Sequence, residues 1–139
     1  MGYRNLYMNN EIKKIIKEST FKIEKGRFVY AKVFMAPNIE NHFLVSKDAD
    51  EITVITKEEN LTELTIVERN KDFYRLIALN VSIPFYSIGL LATVSQAIAK
   101  EQMNILIVST YSKDYILVKD DKIEKAKSVL SKLGFHKSK

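Results

Sequence analysis

Residues 105–108 (Ile-Leu-Ile-Val) and 115–118 (Tyr-Ile-Leu-Val) are short apolar runs separated by the polar stretch Ser109-Thr110-Tyr111-Ser112-Lys113-Asp114. Runs of this length suit strands rather than helices, and a polar gap between them predicts a hairpin. On both sides the pattern changes to helical spacing. Upstream, Leu91, Val94 and Ile98 share one face of a helix expected over residues 88–101. Downstream, Ile123, Ala126, Val129, Leu130 and Leu133 do the same, with Asp120 or Asp121 as N-cap and Gly134 at C′. A mostly apolar strand over residues 74–81 comes before the first helix, across a loop at 83–87 that contains Pro84. The order is β-α-β-β-α, the ferredoxin-like βαββαβ series without its last strand, because only five residues follow Gly134. Another segment has to fill that place in the sheet.

The first half offers candidates. Asn9 followed by Glu11, Ile12, Ile15 and Ile16 predicts a short capped amphipathic helix over residues 9–18. Residues 21–34 read as strand, Lys25-Gly26 turn, strand, with Phe28, Tyr30 and Lys32 alternating with Val29, Ala31 and Val33. Residues 42–46 and 52–56 form a hairpin across Lys-Asp-Ala-Asp-Glu, and a further short strand follows at 64–67. The predicted class is α+β: ferredoxin-like βαββαβ tandem modules in a mixed antiparallel sheet with helices on one face. Residues 1–18 form an N-terminal extension, 19–72 a degenerate module and 73–139 the complete one.

Composition removes most catalytic chemistry. The chain has no Cys and only two His, so thiolate catalysis, Cys-ligated metals and a His-rich metal site are excluded. No nucleophile elbow, zincin, phosphate-loop or dinucleotide motif is present, and no cofactor is expected. His42 falls in a predicted strand and His136 in the tail, neither suited to general-base work. The greasiest stretch, residues 83–99, is broken by Pro84, Ser87, Gly89, Thr93, Ser95 and Gln96, which predicts no membrane span and a cytoplasmic protein. Net charge is +5, but Lys and Arg exceed Asp and Glu only at the ends: seven to three in residues 1–27, eight to eleven in 28–118, seven to three in 119–139. Nucleic acid is therefore not the expected partner, although Lys25-Gly26-Arg27-Phe28-Val29-Tyr30 echoes part of the RNP1 pattern of RNA-binding domains.

Two places could bind a ligand. Gly89 sits in a helix first turn, where it costs about 0.8–1 kcal/mol against Ala and so requires a reason. Either another group approaches the backbone there, the helix start serving a carboxylate, or the helix packs closely on the sheet through the missing Cβ. The polar hairpin loop carries hydroxyls, the Tyr111 ring and the Asp114 carboxylate, and can recognise a cation.

Gly89-Leu90-Leu91-Ala92, Ala97-Ile98-Ala99 and the run from Asn104 to Phe135 together resemble an ACT domain, most of all the second module of small tandem-ACT proteins, and more distantly the modules of aspartokinase and arginine sensors. The similarity is strong over residues 73–135, and residues 27–72 fit as the degenerate first module. It implies a regulatory module that binds an amino acid at a module interface. On that likeness Ser87, Ile88, Gly89 and Leu90 would offer backbone contacts to the ligand's α-groups, while Val108, Ser109 and Thr110 would line the opposite wall, next to Tyr111. Asp114 holds the position at which arginine sensors contact their ligand, and Ser112-Lys113 stands where the tandem family usually has Asp-Thr.

The expected function is non-enzymatic sensing of an amino acid or similar small zwitterion by a homodimer. The alternatives are a ligand-free dimerisation or assembly subunit, and an RNA-binding ferredoxin-like domain.

Overall fold

A computed structural model describes residues 5–82 and 88–138. In chain order its elements are α1 (Asn10–Lys17), β1 (Thr20–Ile23), β2 (Phe28–Val33), β3 (Leu44–Lys47), β4 (Ile52–Lys57), β5 (Ile66–Arg69), β6 (Tyr74–Asn80), α2 (Leu90–Lys100), β7 (Leu106–Ser109), β8 (Asp114–Lys119), α3 (Ile123–Leu133) and β9 (His136–Lys137). The protein is α+β, with ferredoxin-like βαββαβ order from β6 onward. Contacts divide it into two compact units, one of Met1–Glu24 with Leu76–Lys139 and one of Lys25–Arg75.

In the first unit the strands run β9-β1-β6-β8-β7. β1 is antiparallel to β6, from Thr20 opposite Asn80 to Ile23 opposite Ile77, and parallel to β9 through Thr20 and Phe21 opposite His136 and Lys137. The last strand of the series therefore exists, but as two residues lying beyond β1. The place beside β6 goes to a strand from the N-terminal part of the chain. The reason is length: two residues cannot satisfy the backbone N–H and C=O groups along β6, whereas the four of β1 extend much further.

All three helices pack on one face of this sheet. Ile12 and Ile16 of α1, Leu90, Val94, Ala97 and Ile98 of α2, and Ala126, Val129 and Leu130 of α3 share a core with Phe21, Ile77, Leu79, Ile116 and Val118. Helix α1 forms as its sequence predicts: Asn9 accepts from the Ile12 N–H at 2.8 Å, Glu11 lies in the first turn, and Lys14 and Lys17 lie in the last. Helix α3 ends at Gly134 with φ 119°, the left-handed stop its position suggests. Its start is different from expectation. Asp120 and Asp121 open a 3-10 turn, Asp120–Lys122, and Lys122 rather than an Asp is the N-cap.

The second unit runs β3-β4-β2, with β5 on the other side of β2. β2 is antiparallel to β4 along its whole length, to β5 from Ala31 to Val33, and to β6 at Phe28 opposite Tyr74. Ala31, Val33 and Val54 form a small core, with Val45, Ile52 and Leu64 half-buried around it. The 44–57 hairpin forms as predicted, its turn held by Asp48, which accepts from the N–H groups of Asp50 and Glu51. His42, expected in its first strand, instead follows the 3-10 turn Ile39–Asn41. Lys25-Gly26 is not a hairpin turn either, since β1 pairs with β6 and β9 while β2 pairs with β4, β5 and Tyr74. Alternation decides which face a strand buries, but not which strand it pairs with.

Candidate functional site

Helix α2 begins at Gly89, whose φ of 88° places it in the left-handed region. A Cβ built there would meet the Tyr7 carbonyl oxygen at 3.6 Å and the Tyr7 Cβ at 4.0 Å, ordinary contact distances. Backbone conformation therefore requires glycine here, not close packing on the sheet. Tyr7 belongs to a segment that runs along α2: the Asn5 amide donates to the Thr93 carbonyl at 2.8 Å, and the Leu6 N–H to Gln96 Oε1 at 2.9 Å. With glycine as N-cap there is no side-chain cap, so the partial positive charge of the first-turn N–H groups is not offset from that position.

Facing it is the β7–β8 hairpin. Ser109 pairs with Asp114, and its hydroxyl donates to Asp114 Oδ1 at 2.6 Å. Beyond that pair the Thr110 N–H and hydroxyl both donate to the Lys113 carbonyl, at 2.8 and 3.1 Å, closing the loop around Tyr111 and Ser112. Between helix start and hairpin lies a cleft of about 400 Å³, lined by Val81, Gly89, Leu90, Leu91, Ala92 and the six residues from Ser109 to Asp114. That volume falls within the usual range of small-molecule pockets.

Six of the residues singled out in the sequence line this cleft: Gly89, Leu90, Ser109, Thr110, Tyr111 and Asp114. Ile88 is 91% exposed and is not among the lining residues, and Val108 is half-buried opposite Tyr115. Ser87 falls outside the described residues. Val81, Leu91, Ala92, Ser112 and Lys113 also line the cleft; Ser112 and Lys113 belong to the hairpin loop that the sequence points to, whereas Val81, Leu91 and Ala92 were not expected there. Leu91, expected on the core-facing side of α2 with Val94 and Ile98, lines the cleft instead. The buried stripe of α2 is Leu90, Thr93, Val94, Ala97 and Ile98, an i, i+3, i+4, i+7, i+8 series, which turns Leu91 away from the core.

The cleft combines an apolar floor, hydroxyls, one ammonium group at Lys113, one carboxylate at Asp114 and a helix N-terminus. Next to the hairpin, burial pushes the Tyr115 phenol pKa up, the nearby Glu24 charge adds to this, and Lys22 opposes it, so this phenol is neutral at ordinary pH.

The histidines lie elsewhere. The His42 side chain is 1% exposed, with Nδ1 2.8 Å from Thr56 Oγ1 and Nε2 3.8 Å from a Glu63 oxygen. His136 pairs through its backbone with β1. In the RNP1-like stretch Phe28 and Val29 are buried, Arg27 reaches Glu58 at 2.6 Å and stacks 4.0 Å over Phe73. Tyr30 packs edge-on against Tyr74, and burial, helped by Tyr74, pushes its pKa up to about 12. Such packing leaves Phe28 no face on which a base could stack. Among the described residues no cluster of His, Asp and Glu is placed to hold a metal, and no helix is long and apolar enough to cross a membrane.

Residues 70–132 match the model of the ACT domain family. No curated protein matches the chain by sequence. Among solved structures, a Vibrio cholerae protein of unknown function is similar at 16% identity and a TM-score of 0.74, covering 89% of this chain and 96% of its own. Aspartate kinase of Clostridium acetobutylicum is similar at 15% identity and a TM-score of 0.61, covering 81% of this chain and 34% of its own. The ligand-free regulatory subunit of aspartate kinase from Thermus thermophilus is 12% identical with a TM-score of 0.57, covering 81% of this chain and 96% of its own. At these identities the structures establish fold alone. The family match lies on the segment that supplies β6, α2, the hairpin and all but the last residue of α3, so it is residues 70–132 of the chain that are similar to the ACT domain family.

Proposed function

We propose that this protein is a non-enzymatic regulatory subunit that senses an amino acid in the cleft between the start of α2 and the β7–β8 hairpin. The observation that carries the reading is the pairing, across one cavity, of a helix N-terminus suited to an α-carboxylate with the Asp114 carboxylate suited to an α-ammonium. The matched Clostridium kinase is described as an allosteric enzyme and the matched Thermus chain as a regulatory subunit, which fits a sensor rather than a catalyst. In this reading residues 19–72 and 73–139 are the two modules, with residues 1–18 as the N-terminal extension, and the protein works in the cytoplasm.

An amino acid present at a hundred times its Kd stabilises the folded state by about 2.7 kcal/mol, which at this chain length raises Tm by roughly 6–14 °C. Thermal melts of the full chain against each of the twenty amino acids are expected to show that rise for a subset of them. Asp114→Asn is expected to weaken their binding by about 1.5–3 kcal/mol through loss of the charged hydrogen bond. A flat screen overturns the sensor reading.

Self-association is part of the same proposal. Phe34, Met35 and Val67 are 75%, 59% and 57% exposed. Bonds from the Phe34 and Met35 N–H groups to Thr65 bring them beside Ile66 and Val67 on β5, which pairs only with β2 among the described strands. An apolar patch on a sheet edge is costly to leave in water. Light scattering at about 100 µM is expected to give twice the chain mass, and a monomer at that concentration removes the dimer.

A further inference from the structure

We infer that Lys113 makes the cleft selective for an amino acid whose side chain carries a negative charge. The inference rests on the cleft being an amino-acid site and adds which class of amino acid it takes. Apart from the Tyr111 phenol, Lys113 and Asp114 are the ionisable groups that line the cavity. Asp114 accepts from the Ser109 hydroxyl through Oδ1, and its carboxylate supplies the match for the α-ammonium group. The uncapped start of α2 supplies the match for the α-carboxylate.

Both α-groups are then provided for, and Lys113 is left over. It makes no ion pair with any described residue, Asp114 included. Its position is not loose: its carbonyl takes two hydrogen bonds from Thr110, at 2.8 and 3.1 Å, which hold its backbone at the rim of the cavity that the residue lines. A neutral side chain in this cleft leaves that ammonium unmatched, and a basic one meets repulsion. A carboxylate side chain completes the charge pairing: one cation and one helix end for two carboxylates, one carboxylate for one ammonium.

The test compares isosteres. Aspartate and asparagine, like glutamate and glutamine, have nearly the same shape and differ in charge, so titration calorimetry of the full chain with these four and with lysine isolates the electrostatic contribution. Aspartate or glutamate is expected to bind about five- to tenfold more tightly than its amide at low salt, and the ratio is expected to shrink as salt rises to about 0.5 M, because Lys113 is solvent-exposed. Lys113→Met should abolish the ratio while leaving the melt cooperative, and Lys113→Glu should favour lysine instead. If the amides bind as well as the acids, or if the acid preference survives Lys113→Met, the specificity assignment is wrong while the amino-acid cleft stands. If none of the five binds and the twenty-amino-acid melts are also flat, the cleft reading falls and this inference with it. Binding of other amino acids without these acids overturns the inference alone.

Discussion

A chain lacking residues 1–18 is expected to lose cooperative folding. Although helix α1 reads as an extension, its Ile12, Ile15 and Ile16 are 2%, 3% and 0% exposed. Burying one such side chain is worth about 1.5–3 kcal/mol, so the three together contribute about 5–9 kcal/mol, comparable with the whole stability of a typical domain. Deletion also exposes what they cover: Ile16 Cγ2 lies 3.4 Å from where a Gly134 Cβ would sit, and Ile12 and Ile16 share a core with Phe135 and Leu130. The loss extends to the sheet, because the buried Ser19 hydroxyl, which receives the Ser82 N–H, donates to the carbonyl of Ile15. Circular dichroism of the truncated chain is expected to show a broad, low-amplitude melt with increased dye binding. A sharp transition within about 5 °C of the full chain would show that α1 is dispensable.

The second large effect is expected at Phe21→Ala. Phe21 is fully buried on β1, flanked by Leu79 on β6 and Lys137 on β9, and its ring reaches the core under the helices. Truncation of a buried Phe costs about 3–5 kcal/mol, toward the upper end where neighbours cannot close the cavity. Here β1 is bonded on both edges, so it cannot shift to fill the space. The Tm is expected to fall by roughly 10–25 °C. Lys22→Ala, on the next residue but exposed, should change stability by no more than about 0.5 kcal/mol. Equal effects at the two positions would contradict the placement of β1 inside the sheet.

The sequence carried most of the local structure. The Asn9 cap with isoleucines at helical spacing specified α1, and the two apolar runs around a polar loop specified the β7–β8 hairpin, because capping and alternation act over a few residues and are written consecutively. The same is true of the site's two halves. Gly89 stands out as a helix-start glycine that requires a reason, either a group approaching the backbone or close packing on the sheet, and the hairpin loop as a group of hydroxyls beside Asp114. The ACT resemblance over residues 73–135 was readable for the same reason, since its motifs are contiguous.

Tertiary structure decided what depends on partners distant in sequence. Nothing around Thr20–Ile23 states that this strand lies between β6 and β9, some 57 and 116 residues away, rather than folding back on β2 across Lys25-Gly26. Alternation fixes a strand's faces, whereas its neighbour is chosen by where the rest of the core leaves backbone groups unsatisfied. The reason for Gly89 likewise became visible only with its φ of 88°, and Leu91 moved from the core to the cleft once α2 was docked. Lys113 stood in the sequence as a charge beside Asp114. Its place on the wall of a shared cavity, opposite a helix start more than twenty residues earlier, follows from docking α2 against the hairpin, which no local pattern encodes.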